Sequence, residues 1–483
     1  MEDHILSPRE SVLHDDKKPI TKLSVLKELL VATASMYMFG MLERLGFISN
    51  VYFMSRSGDS VLVAALGLAN TWIWIIGLGV ITSFTCGMTT LVAQAYGANM
   101  PKLCSAYFHK GIVINIFLYG FYLSTLFFFK PLLRSLGYDK DLIEVTHSYL
   151  AYMLPSVLGS MIFGTLKFYA QGHKIFNAPV YIQISFTIIE CILSYLIIIV
   201  FNLGFFGLSL SRGFSEFGRA LALFVYMKKS KVFEDTLHWF DSSSMHGFWT
   251  QLKFQLNSGM VVYLDMVTFA VSQLFIAGYD VNEYAASYSA MAVISFFITG
   301  VVSVIQPATS YLGNAVGEGN VVKTEMYWDV SNKVILILSV ILSLIMIIFS
   351  SSLARFYLED PDISSLAQKI LVLYGSLMTI DAWQMYLSSI ARVFGKEHSA
   401  FIAMVIFDLV IGESLAVFIG LICKYGALGV WGGLMTGVVI NTYAQYKILN
   451  KVNVRKYIYE TQQRLKQEGE DKKEEKEIEM KDF

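Results

Sequence analysis

Roughly a dozen apolar runs, each about 20 residues or longer, follow one another along this chain, and that is the length a helix needs to cross a bilayer. Hydrocarbon offers backbone groups no water to bond, so such runs must close their hydrogen bonds within themselves as helices. Charged residues make up 16% of the chain, well below the roughly 25% of a soluble domain. An all-α polytopic membrane protein of about twelve spanning helices is therefore expected. A net charge of −1 gives no basic field of the kind a nucleic acid would require, so no nucleic-acid partner is expected. Cys86, Cys104, Cys191 and Cys423 are scattered and show no C-x-x-C spacing, so neither a disulfide framework nor a zinc site is expected. The polar N-terminus shows no cleavable leader.

The runs fall into two matching halves. Arg134 and Asp139 recur as Arg355 and Asp360, with 355 − 134 = 360 − 139 = 221. Asp59, Ala64 and Ala65 recur as Asp280, Ala285 and Ala286 at the same offset. An even number of helices per half gives a parallel repeat, related by an axis along the membrane normal. The expected divisions are an N-terminal tail (1–26), a first lobe (27–227), a linker (228–246), a second lobe (247–449) and a charged C-terminal tail (450–483) that reads as a solvated helix or disordered segment. The stretch 130–144 reads as an amphipathic surface connection. Lysines and arginines concentrate in the tails and in alternate loops, which places both termini in the cytosol.

Two short signatures carry a resemblance. TLVAQAYGA, from Thr90 to Ala98, resembles the T-L-x-x-Q-A-x-G-A signature of the multidrug and toxic compound extrusion (MATE) family. TSYLGNAVGEGN, from Thr309 to Asn320, resembles its second-half counterpart, although Tyr311 stands where that signature has Arg. The resemblance implies a V-shaped two-lobe bundle. It implies a monomeric, non-enzymatic antiporter in contact with lipid that expels small organic, often cationic, compounds in exchange for H⁺ or Na⁺. No cofactor beyond that ion is implied. Eukaryotic members carry carboxylates in the seventh and tenth helices, where this chain has Asp265 and Asp381. The first-helix Asp of bacterial members is replaced by Ser49, which leans the coupling ion towards H⁺.

Asp265 and Asp381 are the candidate coupling pair, because a carboxylate in a spanning helix is costly unless it faces protein, water or a proton. Their structural reading is a buried pair tied to backbone donors or to Asn257. Asp408 and Glu413 could extend the polar cavity. Glu43, Arg44, Glu190, Arg212 and Glu216 are expected to neutralise one another as a buried network; the sharper alternative is a second ion path through Glu43 and Glu190. Trp72, Trp74, Trp383 and Tyr386, with Asn257, are candidates to line a substrate pocket, although single aromatics more often pack helices. Gln94, Gly97, Gly313, Asn314 and Gly317 read as hinge or cap elements.

Among rival classes, an intramembrane enzyme lacks its usual motifs, since there is no H-E-x-x-H, G-x-S-x-G or P-loop. A channel is disfavoured by the paired halves. A Na⁺-coupled drug antiporter and a lipid-linked precursor flippase of the same superfamily stay open. Which membrane holds the protein, plasma or organellar, also stays open.

Overall fold

The computed structural model describes residues 20–479 apart from 56–59, 136, 202, 239, 241 and 359. Most of the 1–26 tail and most of the turn Ser55–Ser60 lie outside the described residues. The first six spanning helices are α1 (Lys22–Ser55), α2 (Ser60–Trp72 and Gly79–Gly97 about a π turn), α3 (Pro101–Ser135), α4 (Lys140–Gly172), α5 (Asn177–Val200) and α6 (Gly204–Lys229). The second six are α7 (Phe248–Ala277), α8 (Val281–Gly317), α9 (Val321–Ile348), α10 (Pro361–Val393), α11 (Glu397–Ile422) and α12 (Gly426–Asn450). A last helix, α13 (Val454–Glu479), follows. Among the described residues there is no strand. Ten of the twelve are long and apolar enough to cross a membrane by composition. The other two are α6, which carries Arg212, Glu216 and Arg219, and the glycine-rich α12.

The repeat-matched acids have a local cause. Asp139 accepts hydrogen bonds from the backbone of Asp141 and Leu142, and Asp360 from that of Asp362 and Ile363. Asp280 caps α8 in the same way. These carboxylates satisfy free N–H groups at helix starts and sit against the positive end of the helix dipole. The stretch 130–144 is largely exposed, as a surface connection should be, but it consists of helix ends and a short turn and is not a separate segment. α3 runs through it to Ser135 and α4 starts at Lys140, and the two ends are clamped by Glu144 to Lys130 (2.5 Å) and Arg134 (3.2 Å). Its amphipathic pattern is that of two helix ends in register with their own apolar faces.

The lobes α1–α6 and α7–α12 meet where α2 packs on α7 and α8, and where α1 packs on α8. At one end of that seam the two signatures lock together. A Cβ on Gly97 would lie 2.1 Å from the carbonyl oxygen of Asn314, and a Cβ on Gly317 would lie 2.0 Å from that of Gln94. The side chains cross as well. Gln94 Nε2 donates to the carbonyl of Val393 (3.1 Å), and Asn314 Nδ2 donates to the carbonyl of Gly172 (3.0 Å). Gly172 and Val393 are themselves repeat mates, since 393 − 172 = 221. The seal is therefore reciprocal, with each lobe giving the other the same contacts across the pseudo-two-fold axis. Sequence reading placed Gln94, Gly97, Asn314 and Gly317 as hinges or caps; they form the interlobe closure, and Gly313 packs beside it on Ala93.

The C-terminal tail lies beneath this closure. Ile458, Thr461 and Leu465 form a buried stripe at helical spacing on α13. Gln462 Nε2 donates to the carbonyl of Gly317 in the second lobe. Arg464 donates to Gln94 Oε1 (2.5 Å), and Glu468 accepts from the Tyr107 hydroxyl (2.6 Å), both in the first lobe. One helix thus straps the two signatures together. Leu465 is fully buried, so Leu465→Ala is expected to cost about 2–5 kcal/mol of docking. Limited proteolysis of α13 should then speed up by roughly thirtyfold or more. An unchanged cleavage rate would show that the strap is not held by this face.

Candidate functional site

Above the closure, two cavities of about 210 Å³ each adjoin and share Thr82, Phe168 and Gln306 in their walls. One lies between the lobes and the other within the first lobe. A wide furrow of about 1090 Å³ on the outer face of α4 and α6 is lined by Phe206, Leu210, Phe214 and Leu221 and carries no acidic or basic side chain. It suits acyl chains and has no groups for chemistry.

Asp265 stands on the wall of the interlobe cavity, where α7 faces α8 and α10. Among the described residues it makes no hydrogen bond. Asp381 and Asp408 are close enough for their charges to act on it. Both lie deeper in the second lobe, each about 2% exposed. The Tyr374 hydroxyl donates to Asp381 Oδ2 (2.6 Å), while Gln384 Nε2 (2.7 Å) and Asn441 Nδ2 (2.6 Å) donate to Asp408 Oδ2. The Oδ1 of each buried acid has no partner among the described residues. Asp408 sits on the π turn Val405–Gly412, an irregularity that turns its side chain towards α10 and α12. Glu413 stands apart from this trio; its two oxygens accept from Ser272 Oγ (3.0 and 3.1 Å). Asn257 is half-buried and among the described residues bonds to none of these acids, so the alternative reading of a pair tied to Asn257 finds no support.

The first-lobe cavity is lined by Glu43, Lys167, Glu190, Arg212, Glu216 and Arg219. Its hub is Arg219, which contacts Glu216 (2.7 Å), Glu190 (3.4 Å) and Gln183 (2.8 Å). Asn50 also donates to Glu190 (3.0 Å). The expected five-member network is corrected at two points. Glu216 pairs with Arg219, one helical step beyond the expected Arg212. Arg44 is not confined to the network, because its side chain projects from α1 to the opposite lobe. Its guanidinium donates to Thr299 Oγ1 (2.7 Å), Ser295 Oγ (2.9 Å) and the Ser295 carbonyl (2.6 Å).

Of the four aromatic candidates Trp74 lines one of the two adjoining cavities, the one in the first lobe, and the other three line neither. Trp72 packs edge-on against Phe129, Trp383 donates to Asn332 (2.9 Å), and Tyr386 is fully buried against Ser331. These three serve helix packing, since their faces of α2 and α10 turn away from the seam. Sequence reasoning missed the bridging pair Gln171 and Gln306 (3.2 Å), Lys167, and the donors Tyr374, Gln384 and Asn441. Polar side chains within apolar runs were the available signal for all of them.

The MatE family profile matches residues 36–196 and 258–417. The two matches are offset by 222 and 221 residues at their ends, so they follow the repeat. The Arabidopsis thaliana protein named Protein DETOXIFICATION 36 is 23% identical over 424 residues, covering 86% of this chain and 83% of that one. Multidrug and toxin extrusion protein 1 of Xenopus tropicalis is 23% identical over 417 residues, covering 85% of this chain and 71% of that one. In fold, the chain superimposes on the crystal structure of the eukaryotic MATE transporter AtDTX14 with a TM-score of 0.87. That match has 16% identity and covers 92% of this chain and 99% of the other. Paired signatures, two like lobes and profile matches in both halves lead to one conclusion: the chain belongs to the MatE family and is a multi-pass, eukaryotic-type MATE transporter.

Proposed function

We propose that this protein is an H⁺-coupled antiporter that exports small organic molecules by alternating access, with Asp265 as the exchange site. The observation that carries the reading is the position of Asp265, which among the described residues has no hydrogen-bond partner, lines the cavity between the two lobes, and lies within range of the charges of two further buried acids. A bare carboxylate there is costly, and either a proton or a cationic substrate relieves it. The two occupants therefore compete for one group, and competition for one site is what exchange requires.

Asp381 and Asp408 lie behind Asp265 and keep a second negative charge unfavourable there. One oxygen of each is held by hydroxyl or amide donors from Tyr374, Gln384 and Asn441, which suit a carboxylate. Reciprocal lobes closed at the signature end supply the moving parts. With both tails in the cytosol, that closure is the cytosolic one.

The test is uptake of a fluorescent organic cation into proteoliposomes under an imposed pH gradient or an imposed Na⁺ gradient. Uptake is expected to follow the pH gradient. Dependence on Na⁺ alone would replace the coupling ion. Uptake of a fluorescent lipid-linked sugar in place of the cation would move the protein to the flippase class.

A further inference from the structure

The cavity that Asp265 lines also carries a cation that, among the described residues, has no acidic partner in a salt bridge. Arg392, at the end of α10, lines the interlobe cavity and is 7% exposed. Its Nη1 donates to Cys86 Sγ (2.9 Å), across the seam on α2. Its Nε is buried with no partner, and among the described residues no ion pair involves Arg392. Glu397, on the next helix, feels its charge without closing a salt bridge. A thiol is a weak acceptor and does not compensate a buried guanidinium.

The adjoining cavity differs: Lys167 lies over the rings of Phe39 (4.4 Å) and Phe168 (5.0 Å) there, within range of the charges of Glu43 and Glu216. A chamber built only for organic cations would gain nothing from an uncompensated guanidinium in its wall, because like charges repel a cation and lower its affinity. Serine hydroxyls at Ser388 and Ser389 and the amides of Gln171 and Gln306 stand beside Arg392 as further donors or acceptors.

From this arrangement we infer that the interlobe cavity is an amphoteric site, in which Arg392 receives an acidic group of the substrate while Asp265 receives its cationic group. The substrates are then organic compounds with an amine and a carboxylate or similar anion. Simple organic cations bind through one end only. This deepens the carrier reading above and rests on it for the transport arm alone.

A matched pair of probes tests it: 4-(aminomethyl)benzoic acid and its methyl ester, both carrying an ammonium group and differing in the acid. Binding of each to the detergent-solubilised protein is measured by calorimetry, and uptake by proteoliposomes carrying wild type, Arg392→Gln or Arg392→Lys. A charge-assisted contact predicts that the acid-to-ester affinity ratio falls by roughly tenfold or more in Arg392→Gln. Arg392→Lys should recover part of it. Ester binding by the same samples reports that the variants are folded.

An unchanged ratio in Arg392→Gln would overturn the inference and leave Arg392 as a clamp on Cys86. A wild type that binds the ester and not the acid would also overturn it, while the carrier reading stands. Arg392-dependent binding of the acid with no uptake of either probe under any gradient would support the site and sink the carrier reading.

Discussion

Gly97→Ala and Gly317→Ala are each expected to hold the signature end of the carrier open and to stop its cycle. The added methyl would lie 2.1 or 2.0 Å from a backbone carbonyl oxygen of the other lobe, where no side chain can step aside. Relief comes only if the lobes separate. Overpacking of this kind costs about 1–3 kcal/mol or more, enough to shift a closed–open population by roughly five- to 150-fold. The measurement is labelling of Ser389→Cys, on the cavity wall, in a Cys86→Ser background, by a membrane-impermeant maleimide applied from the signature side. It should rise in both glycine variants as gradient-driven uptake falls. Gly120→Ala is the control, because nothing lies within 4 Å of its added methyl. Equal labelling in all three would show that the close approach of the signatures does not set the closure.

Asp265→Asn is expected to abolish exchange while leaving the fold intact. The amide keeps the shape of the side chain and removes its ability to alternate between a proton and a cation. Removing one partner of a buried charge contact costs about 2–5 kcal/mol, or roughly thirtyfold to several thousandfold in affinity. Uptake under a pH gradient should fall to the level of empty liposomes. Cation binding should become insensitive to pH, since the competing proton has lost its seat. Asp408→Asn should act more mildly, because Asp408 is held by Gln384 and Asn441 and does not line the cavity. Full uptake in Asp265→Asn would move the exchange site elsewhere, with Glu43 and Glu190 in the first-lobe cavity next in line.

The parts of this molecule that the sequence exposes are those in which a residue type is costly by itself. Apolar length showed the helices, and a lone acid in hydrocarbon marked Asp265 and Asp381. Partner choice was harder to see. Arg212 and Arg219 lie on the same helix, and the rotation of α6 against α5 decides which of them meets Glu216 and Glu190. Arg44 looked like a neighbour of Glu43, yet adjacent residues on a helix point about 100° apart, and the arginine serves the other lobe. Trp383 and Tyr386 share α10 with Asp381 and still face away from the seam. The isolation of Arg392 could not be read at all, because the lack of a partner is a property of the folded neighbourhood. The buried face of α13 was legible in principle: Ile458, Thr461 and Leu465 form a stripe in a stretch otherwise crowded with Lys and Glu.

That strap also bears on how the protein is made. Synthesis delivers the first lobe, then the second, and α13 after both. Residues 454–469 are still within the ribosome when both signatures have entered the membrane, so a newly inserted carrier passes through a stage with its lobes paired and its strap missing. A stop codon upstream of Leu465 would leave that stage permanent. α13 is therefore what secures the paired lobes, and a copy truncated before Leu465 lays bare the surface beneath the signatures that this helix covers.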